Sequence, residues 1–175
     1  MLYWFLRISL LISLAAPLGG QTDEWHRYKN DAGNFSVLMP VEPKESVIDE
    51  PNGQSSHTIQ AVSGSVGYTV VYVITKAEQT VDEATFKAYR DAFLKGLPNC
   101  DLVTEDTASP AVPGYVGHWY RMNCSVQDKK LSFVGNLYWG KHYAYAVLTM
   151  FATAPSDPPM ARKFTNSFFV LDANK

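Results

Sequence analysis

Few side chains in this sequence are spaced for covalent chemistry. Ser63-Gly64-Ser65-Val66-Gly67 has the outline of a nucleophile elbow, the sharp strand-to-helix turn that exposes a serine hydroxyl. Ser63 stands where the first glycine belongs, however, and strand-type residues follow it, so the segment reads as a hairpin turn. Four histidines (His26, His57, His118 and His142) are scattered, with no pair at the H-x-H or H-E-x-x-H spacing of a metal site. His118 and His142 fall on segments expected to be neighbouring strands, which is the one histidine arrangement within reach of a shared ligand. Gly114-Tyr115-Val116-Gly117 lacks the third glycine and the following helix of a dinucleotide loop. Asp101, Glu105 and Asp106 gather in one strand and read as solvated edge charges that deter sheet-to-sheet association. Asn34-Phe35-Ser36 and Asn123-Cys124-Ser125 match the glycosylation sequon, a three-residue pattern that chance supplies often. The expectation is therefore a non-enzyme with no cofactor and no metal.

The two cysteines, Cys100 and Cys124, are read through the compartment. Leu2 to Leu14 is an apolar run broken only by Arg7 and two serines, and Pro17, Gly19 and Gly20 follow it closely. It is short for a bilayer core of about 30 Å. Ser13-Leu14-Ala15 offers a small-x-small peptidase site, and a cut just before Gln21 is the other position. Residues 1–20 are thus expected to be an export signal, with a retained N-terminal anchor as the alternative. Once the signal is removed, the exported protein (periplasmic or secreted) keeps no stable membrane anchor. In an oxidising compartment two cysteines most simply form one disulfide. Two buried thiols, or a metal site shared with a histidine, are the other readings.

Residues 21–175 have the length of a single domain. The composition, 46% hydrophobic and 18% charged, is apolar enough for a packed core and excludes wholesale disorder. With 15 Lys and Arg against 17 Asp and Glu, the chain lacks the basic footprint of a nucleic-acid binder.

The elements follow from periodicity. Trp25–Lys29 and Phe35–Met39 alternate on either side of an Asn-Asp-Ala-Gly-Asn turn, a first hairpin. Residues 40–56 read as a surface loop with a short strand at Glu45–Ile48, and His57–Ser63 with Tyr68–Thr75 make a second hairpin. Thr80-x-x-Glu83 forms a capping box, and Phe86, Tyr89, Phe93 and Leu97 recur as one helical stripe that Gly96 and Pro98 end. Strands are expected at Leu102–Thr107 and Tyr115–Ser125. Leu131, Phe133, Leu137 and Trp139 then mark one face of the next strand, and Gly140-Lys141 supplies a tight turn through a positive φ. In the partner strand Tyr143, Tyr145, Val147 and Phe151 lie on one face, and Ala144, Ala146 and Leu148 on the other. Those small residues suit a face covered by the long helix. Ser156-Asp157-Pro158 reads as the cap of a short C-terminal helix carrying Met160, Phe164 and Phe168. The fold class is α+β: an antiparallel sheet of seven or eight strands built from hairpins, between one long mid-chain helix and a short C-terminal one. Trp119, Tyr120, Tyr138, Trp139, Tyr143 and Tyr145 crowd three consecutive strands, either filling the core or lining a binding surface.

The opening Tyr28…Gly33-x-Phe35-Ser36-Val37-x-x-Pro40, the paired hairpins, the mid-chain helix and the closing Phe164-x-Asn166-Ser167-Phe168 resemble the PsbP-like superfamily. The resemblance spans most of residues 25–171 and implies an antiparallel sheet sandwiched by helices, in an exported, non-enzymatic module that binds or supports another component. The lysine-rich docking surface of the photosystem subunit has no counterpart here, so no photosynthetic role is implied. Two functions follow as expectations. One is an accessory module for a protein partner; the other is a carrier of a small apolar or aromatic ligand held between sheet and helix.

Overall fold

The computed structural model describes residues 24–49, 54–97, 99–126, 128–154 and 156–172. The expected signal and its cleavage site lie outside these residues, as does Pro98, expected with Gly96 to end the mid-chain helix.

Among the described residues ten strands and two helices follow one another: β1 (His26–Asn30), β2 (Phe35–Met39), β3 (Lys44–Asp49), β4 (Ser55–Ser63), β5 (Val66–Ile74), α1 (Glu83–Lys95), β6 (Cys100–Thr107), β7 (Val116–Val126), β8 (Lys129–Trp139), β9 (Tyr143–Ala152), α2 (Pro159–Asn166) and β10 (Phe169–Val170). Seven form one sheet in the order β3-β4-β5-β9-β8-β7-β6; β1, β2 and β10 form a small second sheet. Every pairing is antiparallel. The fold is α+β, as the hairpins predict. β5 pairs with β9, so α1 and β6–β8 are inserted between two central neighbours and β6 falls on the far edge.

The large sheet is covered on both faces because its central strands are apolar on both. Tyr143, Tyr145, Val147 and Phe151 of β9 join one core with Phe35 of β2 and with Ala161 and Phe164 of α2. Ala144, Ala146, Leu148 and Met150 join the other with Phe86 and Phe93 of α1. The small alanines leave room for the helix, and Leu131, Phe133, Leu137 and Trp139 of β8 lie on that same side. At Gly135 the two central strands come so close that a Cβ would meet the Val147 carbonyl oxygen at 1.9 Å.

Four local expectations are corrected. Asp82, not Thr80, caps α1: its backbone is extended and its carboxylate accepts from the Thr85 N–H at 2.8 Å. Aspartate is at least as good a cap as threonine, and the Thr80 carbonyl is taken by Trp139 Nε1 at 2.9 Å. At α2 the cap is Pro158 without a side-chain bond, because Asp157 is drawn into an ion pair with Arg121. Gly140 is not among the positive-φ residues. Glycine fits there because a Cβ would come within 2.3 Å of the Tyr115 ring. By contrast, Gly64 in the β4–β5 turn has φ 59°, so the serine-glycine run is a hairpin turn, as expected. The fourth correction concerns Glu105.

Candidate functional site

Cys100 and Cys124 face each other across β6 and β7 and are joined by a disulfide, their Cα atoms 4.0 Å apart. The bond staples the start of an otherwise open edge strand. Three residues on, the β6–β7 register shifts: Leu102 pairs with Met122 but Thr104 pairs with Arg121, leaving Val103 as the extra residue of a bulge. Side chains alternate along a strand, so strict alternation from Leu102 would set Glu105 on the opposite face. The bulge resets the phase, and Glu105 sits across from Tyr120 on the face covered by α1.

Glu105 is therefore not a solvated edge charge like Asp101 and Asp106, which are exposed. Its carboxylate accepts from Arg90 Nη1 at 3.0 and 3.1 Å and from the Tyr120 hydroxyl at 2.9 Å, and it lies 2.9 Å from His118 Nδ1. Partial burial alone would raise its pKa, but the hydrogen bonds from Arg90, Tyr120 and His118, with the Arg90 charge, outweigh this and hold it below the usual carboxylate range. Arg90 is in turn held more firmly protonated, first by its bond to Asp91 and then by Glu105. The Tyr120 hydroxyl is pushed up by burial and by the carboxylate beside it. His118 packs on Phe86 at 4.7 Å, and its Nε2 lies 3.4 Å from Glu83 Oε2 in the first turn of α1.

A carboxylate on Nδ1 is how enzymes orient a histidine base. Here Nε2 meets a second carboxylate instead of a nucleophile, so the cluster ties the helix to the edge of the sheet. A related trio lies at the other edge. Glu45 of β3 is 3.1 Å from His57 Nδ1 and accepts from the Tyr72 hydroxyl at 3.4 Å, while His57 stacks on Tyr72 at 4.5 Å. Each edge strand thus turns one glutamate toward a histidine and a tyrosine. Inward charges of this kind discourage edge-to-edge pairing.

The six aromatic candidates are distributed differently. Tyr120, Tyr138, Trp139, Tyr143 and Tyr145 are buried. Tyr138 and Tyr145 donate to the carbonyls of Pro110 and Gly33. Only Trp119 is partly exposed, packed against the core on the α2 side. These residues fill the two cores and do not form one surface. His118 bonds glutamates, while the His142 carbonyl accepts from the Thr75 N–H at the β8–β9 turn. Among the described residues no group of three or more His, Cys, Asp or Glu is set to hold a metal ion. The Asn34 sequon is closed, since Asn34 is buried and its amide bonds the Asp172 backbone. Asn123 is half-buried beside the disulfide and accepts from Ser132.

Beside Leu97, just past the end of α1, a recess is lined by Val71, Phe133, Leu148 and Met150, together with Gln60 and Thr69. Its volume of ≈ 10 Å³ is the room of a single water. No helix among the described residues is long and apolar enough to cross a membrane.

Sequence reasoning missed Arg90 and the partnership of Glu83, Glu105 and His118. Two signals were present. Arg90 falls between Phe86 and Phe93 at the spacing of the apolar stripe, and the adjacent Leu102-Val103 breaks the alternation of its strand. Comparison with protein-family models and with curated proteins finds no match for this chain.

Proposed function

We propose that this protein is an exported, non-enzymatic accessory module of the PsbP-like kind, acting by contact with a protein partner. The observation that carries the reading is how little room the described residues leave in the recess beside Leu97. Small-molecule sites commonly enclose about 300–1,000 Å³, whereas the recess beside Leu97 holds about one water. What such a molecule offers a partner is its outer surface, where the edge strand β6 displays Leu102 and Val103, 46% and 50% exposed. The antiparallel sheet between helices agrees with the arrangement that the resemblance implies. The polar side chains best suited to chemistry are engaged with one another.

The test is native and then denaturing mass spectrometry of the protein taken from the exported fraction of its source. A stoichiometric protein companion is the expected result. A bound mass of small-molecule size, lost on denaturation, would overturn this reading in favour of a ligand carrier whose helix moves aside.

A further inference from the structure

Both ring nitrogens of His118 face carboxylate oxygens: Nδ1 lies 2.9 Å from Glu105 Oε1, and Nε2 lies 3.4 Å from Glu83 Oε2. A neutral imidazole carries one N–H and presents a lone pair at its other nitrogen, whereas an imidazolium donates from both. A carboxylate only accepts. The two contacts are therefore satisfied together only when His118 is protonated. We infer that His118 is a proton-operated clamp, joining the first turn of α1 to the β6–β7 edge when protonated and releasing the Glu83 arm when neutral.

The surroundings decide which arm yields. From α1 come Glu83 and, through Glu105, Arg90; from β6 comes Glu105; from β7 comes Tyr120; β8 sets the apolar Leu137 across from His118. Glu105 is anchored by Arg90 and Tyr120 whatever the state of the ring, and its side chain is only 26% exposed. The Glu83 side chain is 73% exposed and free to swing into water. Loss of the proton keeps the Nδ1–H bond to Glu105 and turns the Nε2 lone pair against the Glu83 carboxylate. Acidity thus fastens the helix to the edge strand, and its loss frees the first turn.

The test compares urea unfolding of the wild type and Glu83→Gln at pH 5 and pH 8. Glu83 also stands at the positive end of the helix, where its charge is favourable at both pH values, so the difference between the two losses carries the information. Exposed ion pairs contribute about 0.2–1 kcal/mol. Glu83→Gln should therefore lower the folded-to-unfolded ratio about 1.5- to 5-fold more at pH 5 than at pH 8, and in a His118→Gln background this extra loss should vanish. pH effects common to both proteins cancel from the comparison. An equal loss at both pH values, or an extra loss that persists without His118, overturns the clamp. If His118→Gln does not fold, the Glu83→Gln comparison still decides, since that exposed substitution leaves both cores intact.

Discussion

Replacing Glu105 tests whether the bulge-aimed carboxylate holds helix and edge together. In Glu105→Ala four hydrogen-bonding contacts disappear: two from Arg90, one from Tyr120 and one from His118. Bonds to a charged group contribute about 1.5–3 kcal/mol each in buried settings, but a simple sum overstates this case. Arg90 keeps Asp91, at 2.7 Å, so its share falls toward the ~0.5 kcal/mol of a surface pair. Tyr120 is fully buried and loses its acceptor, which costs about 1–3 kcal/mol. With a smaller share from His118, the expected loss is about 3 kcal/mol, or roughly 6–12 °C in Tm for a domain of this size. Urea unfolding followed by tryptophan fluorescence reads it directly. Tyr120→Phe should cost about 1 kcal/mol in the wild type but recover stability in the Glu105→Ala background, because there it removes a buried hydroxyl that has lost its acceptor.

The pH dependence has a fixed sign. The pKa of Glu105 is lowered on folding, so its contribution is fully present above the ordinary carboxylate value of about 4.3 and is lost as pH falls through the lower folded value. The gap between wild type and Glu105→Ala should therefore close in acid below about pH 4. A loss under ~1 kcal/mol at neutral pH, or a Tyr120→Phe cost unchanged in the Glu105→Ala background, would refute the hub.

Three further outcomes are expected. Deleting Val103 removes the extra residue of the bulge and leaves Glu105 opposite Tyr120, so urea unfolding should show a change within ~1 kcal/mol; a loss as large as that of Glu105→Ala would contradict the register. Reducing the disulfide, whose cysteines are 24 residues apart, should lower stability by about 3.5 kcal/mol on the chain-entropy account, read as the shift in urea midpoint with and without dithiothreitol. Gly135→Ala should prevent soluble folding, since its Cβ would strike backbone, whereas Gly67→Ala meets the flexible end of Met150 at 3.2 Å and should fold with a modest loss in Tm.

The helix α1 was legible because Phe86, Tyr89 and Phe93 declare a stripe within one short segment, and the faces of β8 and β9 because alternation is equally local. Cap positions were not. Thr80, Asp82 and Asp157 all suit a cap by type; the helix starts immediately after Asp82, and Asp157 is drawn across the fold into an ion pair with Arg121. The aromatic group divided in the same way. Its residue types indicated large buried area or a sticky surface, and only the presence of α1 on one face and α2 with the small sheet on the other turned five of the six into core.

The sequence alone indicated both helices, most of the strands with their order, and the α+β class, since each rests on contacts between residues a few positions apart; β10 and the separate small sheet it completes came only with the fold. The sequence also pointed to a disulfide between Cys100 and Cys124 as the simplest reading, and the two are joined. The tertiary structure decided that β6 is an edge strand, that its bulge turns Glu105 inward, and that Arg90, His118 and Glu83 converge on it. Those facts depend on register between strands and on the line α1 takes across them. Register is set by pairing between distant segments, and a one-residue shift reverses the facing of every side chain beyond it. A string of charges in a strand therefore carries no mark of which charge faces water and which faces the helix.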